Sequence, residues 1–176
     1  ERLVEEARRR QVVVLTHDLV FVSYLKERAE QLGVQLHGQA LERRHHDVGV
    51  VSPDLPWEAR SPMERARALR HELKAKLKPL YKGDDPRYGS EAQRWRLELR
   101  KAYERMIEVY VLGATVERQA HNIRVRNLHD VRWTPELARE IDAAMKELAG
   151  GAHEEPLGRQ PAPPSPARLE ALLERF

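Results

Sequence analysis

His17 is the residue best placed for chemistry, because of the segment that precedes it. The apolar run of residues 12–15 leads into Thr16, His17 and Asp18, after which a helical pattern begins. Consecutive valines without polar alternation are typical of a strand that is covered on both faces of a parallel sheet. Ligands bind beyond the carboxyl ends of such strands. An imidazole there can donate to a phosphate oxygen, and Asp18 is expected to cap the following helix.

Arg100 and Glu104 form a second constellation that could do chemistry. They lie four residues apart on a predicted helix, which places them on one face, and His121 and His129 follow. RNA can be cleaved without a metal when His and Glu exchange the 2′-hydroxyl and leaving-group protons and Arg stabilises the charged phosphorane. The simpler alternative is a surface ion pair between Arg100 and Glu104.

Arg124 and His129 match the loose Arg-x4-6-His pattern of HEPN-type ribonucleases and resemble that family in spacing. Val125 departs from the polar residue that the family prefers after its Arg, and Arg65 with His71 gives a second match. Matches by chance are expected in a sequence with eight histidines and many arginines. The alternative role of Arg124 is a backbone or polyanion contact.

Basic residues outnumber acidic ones between residues 60 and 105. This segment carries 14 Lys or Arg and 7 Asp or Glu, although the net charge of the whole chain is only +3. Such an excess favours binding of RNA or DNA. Four cations expected on solvated faces are the predicted contacts: Lys74, Lys78, Arg94 and Lys101. The alternative is a pair of solvated helices with ion pairs, for example from Glu98 to Lys101 or Arg94.

The composition limits the other kinds of site. Cysteine is absent, which excludes disulfides, thiolate zinc sites and cysteine nucleophiles. His37, His45, His46 and Asp47 could bind a metal if they folded together, but a solvated loop is the simpler interpretation and we assign no metal site. No apolar run approaches the roughly 18 residues of a membrane span, and no signal peptide is recognisable. We expect a soluble, cytoplasmic protein.

The elements around His17 are predicted to form an α/β unit. Residues 1–10 have the pattern of an amphipathic helix end, and residues 11–16 that of a buried strand. Asp18 opens a second helix, which Gly33 ends. Residues 34–41 alternate as a second strand should. His17 then lies at the carboxyl end of the first strand.

The rest of the chain is predicted to be mainly helical. Prolines make residues 42–57 an irregular connector, and a capping-box pattern at Ser61 opens a helix that runs to about Tyr81. A second long helix ends at Leu112, and the short connection between the two predicts an antiparallel hairpin. Residues 114–121 are predicted to be helical.

Two further helices are predicted near the C-terminus. Thr134 caps the first, which ends at the glycines 150 and 151, and a proline-rich linker follows over residues 156–166. Ser165 caps a short tail helix. Its apolar stripe must dock on another part of the protein, because so short a helix is marginal alone; the stripe comprises Leu169, Leu172, Leu173 and Phe176.

A nucleotide-binding loop is missing from the sequence. A Walker A loop requires Gly-x-x-x-x-Gly-Lys-Ser/Thr, whose glycine amides cradle the phosphates. No Gly-Lys-Ser/Thr occurs, and no strand ends in the acidic pair of a Walker B segment. We therefore interpret the chain as the C-terminal piece of a longer ATPase, or a split subunit of one, that cannot bind ATP alone.

Residues 1–40 resemble the last core strand and switch-histidine loop of ABC-type P-loop ATPases, the superfamily of the SMC and RecF-like enzymes. The resemblance implies the edge of a P-loop NTPase sheet at the N-terminus, followed by a mainly α-helical region, so that the fold is mostly α. It implies that Thr16, His17 and Asp18 adjoin the nucleotide, that His17 reaches the γ-phosphate, and that ATP and Mg²⁺ are cofactors of the full-length assembly. The alternative is a histidine that caps the strand end of any α/β fold.

The helical region adds a second resemblance, to bacterial restriction ATPases fused to anticodon nucleases. The nuclease lobe of those proteins uses an Arg, a Glu one helical turn later and a distal His. The resemblance implies a ribonuclease centre of Arg100, Glu104 and His129, with His121 as the substitute histidine.

Nearly the whole chain resembles AAA family ATPases of bacterial mobile-element and phage-defence loci. The matching parts are Asp54-Leu55-Pro56-Trp57, the basic hairpin, Val116-Glu117-Arg118 and the proline-rich tail. The implied domains are an ATPase-head part (1–52), a helical accessory domain (53–150) and a linker with a docking tail helix (151–176).

The implied partners are the rest of the ATPase head, which carries Walker A and Walker B, a second copy through the ATPase heads, and RNA or DNA, with no membrane. Two alternatives stay open. One is a non-catalytic helical module that binds RNA, DNA or a toxin partner, and the other is a HEPN-like ribonuclease effector.

Overall fold

The computed structural model describes residues 2–118, 122–149 and 162–176 of the 176-residue chain. They divide into two compact units, of which the first consists of residues 2–60 and the second begins at Ser61 and includes the C-terminal residues. Helices dominate the described residues, so the predicted mostly α composition is confirmed.

The first unit contains two helices and a β-hairpin. Helix α1 spans Arg2–Ala7 and helix α2 spans Leu19–Gln31. The two antiparallel strands are β1 (Ala40–Arg44) and β2 (Asp47–Ser52), and a 3₁₀ turn at Trp57–Ala59 contacts α2. The sheet of the described residues is therefore a two-stranded antiparallel one.

The hairpin contains a bulge. Leu41 pairs with Val51, but Val48 and Gly49 of β2 together lie opposite the single residue Arg43 of β1. Gly49 has a φ of +77°, in the left-handed region that glycine adopts without a steric penalty. The extra residue is thus absorbed where the backbone tolerates it.

The predicted positions of the strands in this unit are wrong. Residues 11–16 form no strand, and only the end of the predicted strand 34–41 belongs to β1. Residues 42–57, expected to be irregular, contain most of the hairpin. The hairpin escaped prediction because its turn is His45-His46 rather than the Asn-Gly or Asp-Gly pair typical of two-residue turns. Residues 11–16 have a strand pattern but no neighbouring strand within the described residues.

The second unit is a set of packed helices. The capping box at Ser61 is confirmed, since the Glu64 N–H donates to Ser61 Oγ (3.3 Å) and the Ser61 N–H donates to Glu64 Oε2 (2.6 Å). The predicted hairpin is also present, because the first long helix packs against the second. The helices of this unit are α3 (Pro62–Glu72), α4 (Lys78–Lys82), α5 (Tyr88–Met106), α6 (Pro135–Ala149) and α7 (Pro166–Glu174).

Two π-helical turns extend these helices. The turn Leu73–Leu77 joins α3 to α4 without a break, and the turn Ile107–Val111 continues α5. Pro79 follows the first of them and has no N–H to donate into a regular helix. The wide turn lets the chain pass this proline and still present Leu73 and Leu77 to the core.

The core of the second unit forms where α3, α5, α6 and α7 meet. Trp95 is fully buried, and its indole N–H donates to the Leu69 carbonyl (3.0 Å), so its polar atom is satisfied. Other buried side chains are Leu73, Leu77, Leu99, Ala102, Tyr103, Leu148, Leu169, Leu172 and Leu173.

The tail helix α7 docks on this core. The Ser165 side chain accepts from the Arg168 N–H (3.4 Å), which confirms the predicted cap. The Tyr103 hydroxyl donates to the Leu172 carbonyl (3.2 Å), and the rings of Tyr103 and Phe176 meet edge to face at 5.1 Å. The three leucines of the tail's apolar stripe are thereby buried inside their own chain, and Phe176 is half-buried.

The segment after α5 is not helical. Residues 114–118 form turns and bends, so the helix predicted over 114–121 is wrong for this part, and 119–121 lie outside the described residues. Gly113 and Ala114 both have positive φ, which reverses the chain. Thr134 caps α6 as predicted, with the Leu137 N–H donating to Thr134 Oγ1 at 3.2 Å. Residues 150 and 151, and the proline-rich stretch up to residue 161, are also outside the described residues.

We predict that Leu169→Ala lowers the free energy of unfolding by about 2–5 kcal/mol, because it empties a fully buried position between α7 and the core. Leu97→Ala on α5 is the matched control, since that side chain is 40% exposed, and it should cost clearly less. Urea denaturation measures both variants. Equal losses would show that α7 does not close the core in solution.

Candidate functional site

Thr16, His17 and Asp18 form a tight turn at the start of α2. The Asp18 carboxylate accepts from the N–H groups of Val20 (2.9 Å) and Phe21 (3.1 Å), which confirms it as the helix cap. The Thr16 hydroxyl accepts from the Asp18 N–H at 3.0 Å. Both neighbours of His17 are therefore engaged in fixing the turn. His17 itself is exposed and hydrogen-bonds to no described residue, so its imidazole is available to a ligand.

An open apolar cavity of about 650 Å³ lies beside this turn, within the first unit. Val12, Val14 and Leu15 line it, and the exposed fraction falls from 75% at Val13 to 37% at Val14, an alternation typical of extended backbone. Leu15 is 84% exposed. The remaining apolar lining comes mainly from α1, α2 and residues 34–41.

The first unit buries few apolar side chains. Among its described residues only Val4, Ala29 and Ala40 are buried apolar positions. The backbone of residues 11–15 makes no hydrogen bond to the backbone of any other described residue. One face of this segment is thus partly covered by α1 and α2, while its other face and its hydrogen-bonding edges have no cover within the described residues.

Arg100 and Glu104 come together as their spacing predicts. Arg100 Nε lies 3.4 Å from Glu104 Oε1, and Arg118 contacts the second oxygen, Oε2, at 2.7 Å. His129 instead pairs with Asp130 at 3.4 Å and is 77% exposed. His121 lies outside the described residues. Within the described residues, His129 makes no hydrogen bond or ion pair with Glu104, so the geometry provides no proton relay between them.

The contacts of Glu104 belong to a larger ion-pair network that the sequence did not reveal. Glu117 lies between Arg105 (2.8 Å) and Arg124 (3.0 Å), and Glu108 between Arg105 (3.0 Å) and Arg118 (3.2 Å). This network ties the segment after Gly113 to the end of α5. The Arg124 side chain of the HEPN-like pattern therefore contacts Glu117, and its sequence partner His129 contacts Asp130.

Ion pairs also occupy most of the predicted nucleic-acid contacts. Lys78 contacts Glu170 at 2.8 Å, and Lys101 contacts Glu98 at 2.9 Å, the pair expected if the helices are simply solvated. Arg94 contacts Glu72 and Glu91 rather than Glu98. Lys74 differs from these three, since it is exposed and forms no ion pair with a described residue.

Neither a metal cluster nor a spanning helix occurs in the described part of the chain. No three His, Asp or Glu side chains there are grouped to hold a metal ion, so His37, His45, His46 and Asp47 do not form a ligand set. No described helix is both long enough and apolar enough to cross a membrane. No protein-family model, curated protein or solved structure matches the sequence or the fold. Functional inference therefore depends on the residues of this chain.

We predict that Glu117→Gln lowers the free energy of unfolding by about 1.5–3 kcal/mol, because charge-assisted contacts to two arginines are lost at a site where the carboxylate is 10% exposed. Glu136→Gln is the control, since Glu136 pairs with Arg139 at 2.7 Å but is 69% exposed, and about 0–1 kcal/mol is expected. Urea denaturation in low salt compares them. A cost for Glu117→Gln no larger than that of the control would contradict a structural role for the network.

Proposed function

We propose that the first unit supplies the closing strand and the switch histidine of an ABC-type ATPase head. In this proposal Walker A and Walker B lie in a partner segment, either another part of a longer polypeptide or a separate subunit. The sequence contains no Gly-Lys-Ser/Thr, so the amides and lysine that hold ATP and Mg²⁺ must come from that partner. The resemblance to AAA family ATPases of phage-defence loci also implies pairing of ATPase heads and a role in phage defence.

One observation carries the proposal. Residues 12–15 are apolar, and the exposed fractions of Val13, Val14 and Leu15 alternate as they do along a strand. Residues 11–16 nevertheless pair with no strand within the described residues. Backbone groups and valine side chains in this state favour pairing with a neighbouring strand. Burying Val13 and Leu15 would contribute about 1.5–3 kcal/mol each. A sheet edge in the partner would provide both the hydrogen bonds and the cover.

The turn after this segment suits the role of His17. Thr16 and Asp18 hold the backbone on either side through their own hydrogen bonds, so the imidazole is positioned by the turn rather than by a contact of its own. An imidazole so held can donate to a γ-phosphate oxygen as charge develops there. In this proposal Thr16 and Asp18 act by positioning His17.

For the second unit we propose a binding role rather than catalysis. Lys74 supports it, since this cation is exposed and forms no ion pair with a described residue. Catalysis by Arg100, Glu104 and His129 has less support, because both oxygens of Glu104 contact arginines and His129 contacts Asp130. A non-catalytic nucleic-acid-binding module is therefore the second candidate function.

We predict that the chain alone does not bind ATP and that the assembly with its Walker-bearing partner does. His17→Ala should lower ATP turnover about 10²-fold with ATP affinity nearly unchanged, because a contact made mainly in the transition state acts on the rate. Steady-state ATPase assays and nucleotide titrations give the two quantities. His46→Ala, in the exposed turn of the hairpin, is the control and should have no effect. Wild-type turnover in His17→Ala would reject the switch role.

A second experiment tests the missing strand partner. Val13→Asp should lower co-purification with the Walker-bearing partner at least 10-fold, because a charge cannot be buried in the new sheet. Val48→Asp is a close control: Val48 has the same 75% exposure but lies on β2. Equal recovery of the two variants, or a gene neighbourhood that encodes no Walker motifs, would contradict the proposal.

A further inference from the structure

Four side chains of the second unit form a single stripe along α3. Arg67, Arg70, His71 and Lys74 are spaced i, i+3, i+4 and i+7, which places them on one face of a helix. Lys74 is the second residue of the π-helical turn that continues α3. All four are exposed, and the stripe extends about 10 Å along the helix axis. We call this set the α3 stripe.

The three permanent cations of the stripe differ from most other exposed basic residues of the hairpin; Lys82, at the end of α4, is the other exposed cation there that forms no ion pair with a described residue. Arg67, Arg70 and Lys74 form no ion pair with any described residue. The neighbouring cations are neutralised inside the chain: Lys76 by Glu91, Lys78 by Glu170, Arg87 by Asp85, Arg94 by Glu72 and Glu91, and Lys101 by Glu98. Of the four exposed cations of the hairpin that form no ion pair with a described residue, three therefore lie on this one face.

Two acidic groups lie next to the stripe. Glu64 stands one turn before Arg67 and accepts from the Ser61 N–H in the capping box. Glu170 of α7 hydrogen-bonds to Lys78, and this contact, together with the charges of Lys74 and Arg70, lowers the pKa of its carboxyl. The two acids are outnumbered by four cations, namely Lys78 and the three cations of the stripe, so the net local charge is positive.

From this arrangement we infer that the α3 stripe binds the phosphate backbone of a nucleic-acid duplex. A duplex offers about one negative charge per 1.7 Å, so several phosphates lie within the length of the stripe. None of the four positions is Phe, Tyr or Trp and three of them are permanent cations, so the phosphates rather than the bases are the expected contacts, and binding should depend little on sequence. This inference deepens the binding role proposed for the second unit. It needs no nucleotide, so its failure is separate from failure of the ATPase proposal.

The test is fluorescence anisotropy of the purified chain with labelled duplexes of mixed sequence, DNA in one arm and RNA in the other, over a series of salt concentrations. Three phosphate contacts predict a slope of log K against log salt of about −2.7. Arg67→Gln/Arg70→Gln/Lys74→Gln should abolish most of that slope and weaken binding at least 10-fold in low salt. Glutamine keeps the helix propensity, and urea denaturation checks that the variant is folded.

The control removes the same charge elsewhere. Arg87→Gln/Arg139→Gln/Lys146→Gln replaces three side chains that are at least 74% exposed and that already pair with acids, and it should keep the wild-type slope. If the control variant lost as much binding as the stripe variant, the effect would be explained by net charge alone and the inference would be overturned. Absence of duplex binding by the wild type in low salt, or binding only to anionic lipid vesicles under the same conditions, would also overturn it.

Discussion

The burial of Trp95 on α5, where its indole meets α3, organises the second unit. Trp95 is fully enclosed and gives its one hydrogen bond to the Leu69 carbonyl, so this contact fixes how α5 lies against α3. Leu169 of the tail closes the same core. With the apolar side of α3 turned inward, its opposite side must carry the exposed cations. The charged surface is therefore a consequence of the packing.

The first unit also needs buried apolar side chains to be stable, but it does not form a full core by itself. The three apolar residues buried among its described residues are too few for a core, and the cavity beside α2 is open. The valines of residues 12–14 alternate between lining this cavity and facing outward. A sheet supplied by a partner would cover the outer side and satisfy the backbone, and it would bring a nucleotide site to His17. The lack of a neighbouring strand for residues 11–16 therefore supports the functional proposal.

Local signals in the sequence were sufficient for most of the helices and insufficient for the strands. Ser61, Thr134 and Ser165 cap helices as predicted, because a cap is satisfied within about one turn of the chain. A strand depends on a partner that the local pattern does not specify, so residues 11–16 remain unpaired and β1 begins later than predicted. A chain reversal at Gly113 and Ala114 replaces the helix that was predicted to follow. Both residues have positive φ, which is expected for Gly113 but not for Ala114.

The charged groups show the same division between local and distant contacts. The pair between Lys101 and Glu98 follows from helical spacing and was expected. The contacts of Lys78 with Glu170 and of Glu104 with Arg118 join distant parts of the chain. Composition does not reveal such pairs, and Lys78 was therefore predicted to be available to nucleic acid. Three-dimensional pairing therefore moves the candidate phosphate contacts from Lys78, Arg94 and Lys101 to the α3 stripe.

Hydrogen–deuterium exchange of residues 11–16 tests the central claim most directly. In the chain alone these amides should exchange as fast as those of an unstructured peptide, because they hydrogen-bond to no described backbone group. In an ATP-hydrolysing assembly with the Walker-bearing partner they should be protected as amides of a sheet are. Rapid exchange in the active assembly, or strong protection in the isolated chain, would contradict the claim that a partner completes this unit.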